Sequence, residues 1–553
     1  VSTLFRKKNL DDISKGISLE SEGTGSLKRV LTVRDLTLMG VAAVIGGGIF
    51  TTIGSAAYHG GPGVIFLFII TAVTCGFTAL CYAEFASRIP VAGSAYTYTY
   101  ISFGEVVAWI IGWALILEYA IGNIVVAISW SAYFNNILSG LGLNLPEWLT
   151  VGYQTASLKF NEALLSGTPT ANLVFATAPR IAGIPFIINL PAFVIVMLIT
   201  WLAYIGIQES KRTANAMVIV KIVVLVIIAV IGFWFIFSTN TVSNWTPFLP
   251  NGMDGVLKGV SAVFFAYIGF DAVSTTAEEC ANPQRDMPKG MLYSLLICTV
   301  IYIVTALVIT GMVSYDQFEN ITDPLAFVFE KINMQKIGFF ISVSAVIAAT
   351  SVLLVFQIGQ PRIWMSMSRD GLLPKSFGKI NTRFQTPGFS TWVAGMFVGT
   401  LVLFIDDKLM TDLTSIGTLF AFVLVSGGVL MLPKIKKQKG KFSIPFINGK
   451  YIFPMLFLIM IYFFQDRFME VATNPTASDS KGYLFFGFVI AMAILSFYAF
   501  KKEFSLIPLL GVSCCMYLMV EIPTNSWFVF FCWMAAGLSI YWMYGRKHSR
   551  LNT

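Results

Sequence analysis

Apolar residues along this chain come in runs close to twenty residues long, separated by short polar stretches. Each run is long enough to cross about 30 Å of hydrocarbon as a helix. Fourteen spans are predicted in this way, at about 35–57, 63–87, 105–138, 189–207, 213–237, 256–276, 290–313, 337–365, 389–405, 411–432, 451–465, 483–500, 504–520 and 525–544. The last four are set apart by the basic stretch 433–450, and the connection at 501–503 is very short. One long polar interval, 139–188, has room for a short helix lying on the surface.

Two runs break their own pattern. Residues 42–50 read AAVIGGGIF, and each glycine costs a helix interior about 1 kcal/mol relative to alanine. In 261–279, SAVFFAYIGFDAVSTTAEE, Gly269 interrupts an apolar run and Asp271 follows it. These are the first and sixth spans, so each opens a group of five. Interrupted spans in corresponding positions of two halves point to a transporter's binding site. Unwinding frees N–H groups at the start of one half-helix and C=O groups at the end of the other. A zwitterion satisfies both, its carboxylate on the N–H groups near Gly46, Gly47 and Gly48 and its ammonium on carbonyls such as those near Val44 and Phe264. Close helix packing by small residues is the alternative use of such glycines.

Composition agrees with the pattern: 56% of residues are hydrophobic and 12% charged, against roughly 25% charged in soluble domains. The net charge of +8 does not signal nucleic acid, because about 27 of the 37 Lys and Arg fall in alternate loops. That asymmetry is the positive-inside pattern and suggests contact with anionic lipids. It predicts a multi-pass protein of the plasma (inner) membrane with both ends of the sequence cytoplasmic. Residues 1–34 read as a polar cytoplasmic tail without a signal-peptide run. Residues 35–432 form a ten-span core, 433–450 a basic cytoplasmic linker, 451–544 four further spans and 545–553 a second tail. Seven cysteines, most inside apolar runs, and two histidines give no disulfide framework or metal motif. No nucleotide-binding loop or nucleophile motif argues for an enzyme, and no cofactor is expected.

The motifs GGGIF (46–50), YAEFASRIPVAGSAYTYTY (82–100), LEYAIG (117–122), YIGFDAVSTTAEECANPQRDMPKG (267–290) and GQPRIWMSMSRDGLLP (359–374) resemble the cationic amino acid transporter family of the amino acid–polyamine–organocation superfamily. The resemblance implies an all-α membrane protein of the leucine-transporter type, with ten core helices in two inverted five-helix repeats, helices one and six broken, and about fourteen transmembrane helices. It implies amino acid transport by alternating access. Substrate contact is then expected at Ile45, Gly46, Gly47 and Gly48 in helix one and at Phe264, Phe265, Ala266 and Ile268 in helix six.

Ionisable residues inside apolar runs are functional candidates. In related sodium-coupled transporters an ion lies between helices one, five and eight. The resemblance implies that Lys221 on helix five takes that place here, making the cycle sodium-independent and linking it to protons or to a structural gate; a snorkelling lysine is the alternative. Glu118 and Asp271 are each a proton site or a helix-stabilising partner. Asp271 reads first as the latter, a carboxylate holding the N–H groups beside the break. Tyr267 serves as a gate or packs its hydroxyl on a neighbour. Glu278, Glu279 and Arg285 suggest an ion-pair network after helix six, and Glu84 with Arg88 another. GSAYTYTY falls on an expected cytoplasmic linker and short helix. Phe356 and Gln357 on helix eight, with Phe264 and Phe265, suggest a small apolar side-chain pocket. That tilts the expected substrate toward neutral amino acids, with cationic ones as the alternative. A channel or an amino-acid-binding receptor are the competing classes, and an accessory subunit is left open.

Overall fold

The computed structural model describes residues 6–8, 29–46, 48–89, 91, 93–319, 321, 323–405, 408–432, 442–465, 469 and 481–552. The basic run KIKKQKGK at 434–441 and Gly47 lie outside the described residues. The chain is helical apart from a short hairpin, Arg180–Ile181 with Ile184–Pro185, and a few isolated bridges.

The first apolar run is α1 (Val33–Val44), a π-helical turn at Gly48–Thr52 and α2 (Ile53–Gly60). Next come α3 (Val64–Arg88), α4 (Ala95–Ser102) and α5 (Glu105–Gly140). The long interval holds α6 (Tyr153–Leu165), of which Ala156 alone is buried. Then follow α7 (Leu190–Ile205) and α8 (Ile207–Thr239). The sixth run is α9 (Gly252–Lys258), α10 (Val260–Tyr267) and a 3-10 segment, Phe270–Glu279. The core continues with α11 (Pro283–Met312), the short α12 (Pro324–Lys331), α13 (Gln335–Arg369), α14 (Gly388–Val402) and α15 (Lys408–Met431). Last are α16 (Ile452–Phe463), α17 (Lys481–Lys502), α18 (Leu506–Val520) and α19 (Thr524–Ile540). Among the described residues, eight helices are long and apolar enough to cross a membrane, and four shorter apolar helices accompany them. The chain is a polytopic, mostly helical membrane protein.

One centre organises the packing. α5 and α13 lie against each other along much of their length, α11 packs on α3 and α1, and α8 touches α13, α11 and α1. α1 begins where the Asp35 carboxylate accepts from the Thr32 N–H at 3.0 Å, a helix N-cap arrangement. Asn215 of α8 donates to the other Asp35 oxygen at 2.9 Å. The peptide planes at Val30, Leu31 and Ala281 then tie the approach to α1 onto the end of the 3-10 segment: Val30 and Leu31 donate to Glu279 O, and Ala281 donates to Leu31 O.

Two segments expected to lie between spans are packed into the body. α4 is the short helix expected there, and all eight of its residues are buried. Its tyrosines supply aromatic volume and hydroxyls to the interior, as the Phe85–Tyr98 stack at 4.8 Å illustrates. The described part of the 433–450 linker is docked too, with Ile444 N–H on the Glu84 carboxylate at 3.2 Å and Phe442 N–H on Ser87 Oγ at 2.8 Å.

Candidate functional site: two broken helices stitched together

The two interruptions meet. A Cβ on Gly48 would lie 2.3 Å from Ala266 Cα, so the backbones of the two broken runs touch. One on Gly46 would lie 2.0 Å from Val352 Cγ2 of α13. Ile45 leaves helical geometry at φ −78°, ψ 95°, and Ile268 does the same at φ −61°, ψ 139°. Gly269 takes φ +114°, a region that side chains disfavour. Glycine at both breaks thus answers a steric demand.

The freed backbone groups find partners from neighbouring helices. Tyr302 of α11 places its hydroxyl 2.7 Å from both Val44 O and Ala266 O, one carbonyl from each break. Tyr133 of α5 donates to Phe50 O at 2.6 Å. Thr52 reaches Gly48 O and Ala262 O at 2.8 and 2.9 Å. Lys221 is fully buried. Its ammonium donates to Ala42 O at 3.0 Å, to Ile45 O, and to Ser351 Oγ of α13 at 2.9 Å. Three donors meet three acceptors, two of them at the negative end of α1. A snorkelling side chain does not fit these contacts.

The other expected residues scatter around this centre. Phe264, Phe265 and Ala266 are buried at the break, and Phe264 meets Phe422 of α15 edge-on at 6.0 Å. The Tyr267 hydroxyl donates to Phe68 O at 3.1 Å, so it is a buried, partnered group. Phe356 lies across Gly122 and meets Tyr119 at 5.5 Å. The Gln357 side chain accepts from Asn123 at 3.1 Å and donates to Thr200 Oγ1 at 3.0 Å, joining α5, α7 and α13. Val352 and Ser351, on the same helix, meet Gly46 and Ala42 O of the first run.

Glu118 and Asp271 are both buried and interact electrostatically with each other and with Tyr82 and Tyr119. Glu118 Oε2, both Asp271 oxygens and both tyrosine hydroxyls lack a hydrogen-bond partner among the described residues. Asp271 does sit beside the backbone N–H groups of Gly269 and Ala272. Buried polar atoms left in this way mark room for water or a ligand.

The expected ion-pair network exists with different partners. Arg285 pairs with its neighbour Asp286 at 2.6 Å. Glu279 instead takes both arms of Arg362 from α13, at 2.6 and 2.7 Å, and Glu278 takes Arg369 at 2.9 Å. Arg88 pairs with Glu84, one turn away on α3. Tyr302, Tyr133 and Ser351 escaped the sequence reading. A lone hydroxyl in an apolar run was their only signal.

Two interrupted runs facing each other inside a helical membrane protein define a polytopic permease. Comparison with known families makes this specific: the amino acid permease model matches residues 31–495, and the model for the C-terminus of that family matches 505–549. The chain belongs to the amino acid permease family, as its motifs implied, and this is a family of transporters, not enzymes. It is 37% identical over 550 residues to the branched-chain amino acid permease BcaP of Bacillus subtilis (strain 168), covering 100% of this chain and 99% of that protein. It is 35% identical over 554 residues to the methylthioribose transporter of the same organism, covering both completely. A vacuolar cationic amino acid transporter 2 of Arabidopsis thaliana is 38% identical over 435 residues, which are 78% of this chain and 63% of the plant protein.

Proposed function

We propose that this protein is a secondary active amino acid transporter of the plasma membrane, working by alternating access with the substrate backbone held between the two breaks. The observation that carries this is the single Tyr302 hydroxyl shared by Val44 O and Ala266 O. It marks two carbonyls, one per break, at the place where a substrate ammonium would find acceptors, while N–H groups at the start of the Gly48 turn face the carboxylate. Ile45, Gly46, Gly47, Gly48, Phe264, Phe265, Ala266 and Ile268 are the substrate-contact residues of this reading. The element order suits two groups of five helices opened by α1 and by α9–α10, with fourteen crossings in all and both flanking segments in the cytoplasm.

Lys221 takes the place of a bound cation between α1, α8 and α13, which makes the cycle sodium-independent. Glu118 and Asp271 then supply proton coupling, since ionisable groups buried within membrane spans mark proton pathways. Apolar side chains around the breaks favour neutral substrates, and the branched-chain permease among the relatives supports that choice. The methylthioribose transporter, similar to nearly the same degree, favours a second reading in which the side-chain pocket takes a neutral thioether sugar.

Uptake of radiolabelled leucine and arginine into sodium-free proteoliposomes, with and without an inward pH gradient, tests both readings. Leucine accumulation that follows the pH gradient and resists competition by arginine and methylthioribose is expected. Accumulation of arginine instead, or of neither amino acid while unlabelled methylthioribose binds, would overturn the amino acid assignment or its neutral preference. With Lys221→Met, transport falls more than about ten-fold; wild-type rates in that variant would remove Lys221 from the mechanism.

A further inference from the structure

Far from the breaks, two segments distant in sequence close over one buried acidic pair. Glu105 begins α5 and Asp370 follows α13, and both are buried. The Glu105 carboxylate accepts from three hydroxyls: Tyr100 at 3.0 Å, Tyr541 at 2.8 Å and Ser549 at 2.5 Å. Asp370 accepts from Tyr96 at 2.6 Å and pairs with Lys8, whose ammonium also lies 5.2 Å from the Tyr100 ring centre. Main-chain bonds complete the cover. Arg550 N–H donates to Asp370 O at 3.0 Å, Glu105 N–H to Arg6 O at 3.0 Å, and the Arg6 guanidinium to Leu551 O at 2.6 Å. The fit leaves no slack, since a Cβ on Gly371 would lie 2.1 Å from His548 O.

The segment is also anchored. Trp109 Nε1 donates to Gly537 O at 2.9 Å, and Trp113 and Trp533 stack at 4.8 Å, each donating its N–H to the other's carbonyl. α19 is therefore clamped to the same helix, α5, whose first residue its following segment covers.

We propose that residues 541–552, together with 6–8, form a strap that holds the mouth at this end of the molecule closed and slows its opening. The strap joins α4 and the head of α5 to the end of α13, where Arg369, next to Asp370, holds Glu278 two residues before Cys280. Moving the end of α13 away from α4 and α5 therefore requires stripping Glu105 and Asp370 of their hydroxyl and lysine partners. A buried carboxylate deprived of donors bears its desolvation cost, so the closed arrangement is favoured while the strap is in place. This assigns a task to the C-terminal region that the family model recognises separately. The proposal rests on the alternating-access reading, and its test does not depend on knowing the substrate.

Cys280 reports on this mouth: it is a free, buried thiol whose backbone bridges to Leu31. Its alkylation by a maleimide in the purified, reconstituted full-length protein is followed by peptide mass spectrometry. Three proteins are compared: wild type, Tyr541→Phe with Ser549→Ala, and Tyr541→Phe with Ser549→Thr. Losing two hydroxyl donors to Glu105 is expected to speed Cys280 alkylation roughly ten-fold, with partial return in the threonine protein. The thermal midpoint is measured in parallel. Alkylation within two-fold of wild type overturns the strap, whether the midpoint is unchanged or has fallen, because a merely structural contact lowers stability without opening the mouth. A protein that transports none of the tested substrates yet shows faster Cys280 alkylation keeps the strap and sinks the transport reading alone.

Discussion

Gly48 has no room for a methyl group, because the obstruction is the Ala266 backbone. Gly46 meets Val352, a stiff β-branched side chain. Gly48→Ala is therefore expected to part the two broken runs, to cost about 1–3 kcal/mol through overpacking, and to reduce uptake more severely than Val352→Ala. Thermal unfolding in detergent beside initial uptake rates checks this; an alanine protein with unchanged uptake would contradict the contact. These glycines were legible in the sequence because a run of three inside hydrocarbon either breaks a helix or lets it pack closely on another. Tyr302 was not, since nothing local distinguishes a tyrosine that spans two breaks from one that packs. The partners of Gln357 were hidden for a related reason. Its neighbour Phe356 lies over Gly122, and which of two adjacent side chains faces the centre was decided by partners on α5 and α7.

The 3-10 segment Phe270–Glu279 packs against α1, α3, α11 and α13. Its last residue binds α13 through Arg362, and both charged groups are buried. Removing one member of a buried pair leaves a bare charge and costs about 3–5 kcal/mol. Sequence proximity suggested Arg285 for this role; the helix eighty residues away supplied Arg362 because its guanidinium reaches both carboxylate oxygens. α12, outside the apolar runs, has a different electrostatic character. Burial, and then the charge of Glu330, push the Asp323 carboxyl at its start up to about 6 from an ordinary value near 3.8. A raised carboxyl is easier to protonate in the folded than in the unfolded protein. It therefore favours folding at low pH, and that contribution is lost as pH rises from about 4 through 6. Between pH 4 and 7 the thermal midpoint of wild type should fall relative to that of Asp323→Asn. Parallel curves for the two would refute this.

The fourteen predicted runs each correspond to helix in the structure, because apolar length is a coarse and additive signal. What a run's length does not carry is where it stops being helical inside, or how loops such as α4 and 442–450 tuck into the body. Those depend on contacts between distant segments. The proposed orientation rests on charge alone. α5 runs from Glu105 at the strapped end to Gly140, and α6 hangs from its far end with Lys159 exposed. A cysteine at Lys159 should react with an impermeant maleimide on intact cells, and one at Lys547 should react only after permeabilisation. The reverse result would invert the molecule in its membrane.

Arg6 and Leu551 are bonded although 545 positions separate them. A ribosome adding about 5–20 residues per second needs on the order of half a minute to two minutes to cover that interval. For most of that time, across the 436 positions between them, Glu105 sits at the head of an already emerged helix without Tyr541. This end therefore closes only once residues 541–552 have been made, so that one stretch completes a mouth whose other walls already exist. A peptide inserted after residue 552 would crowd that closing step, whereas one placed in the interval carrying α6 would leave it untouched.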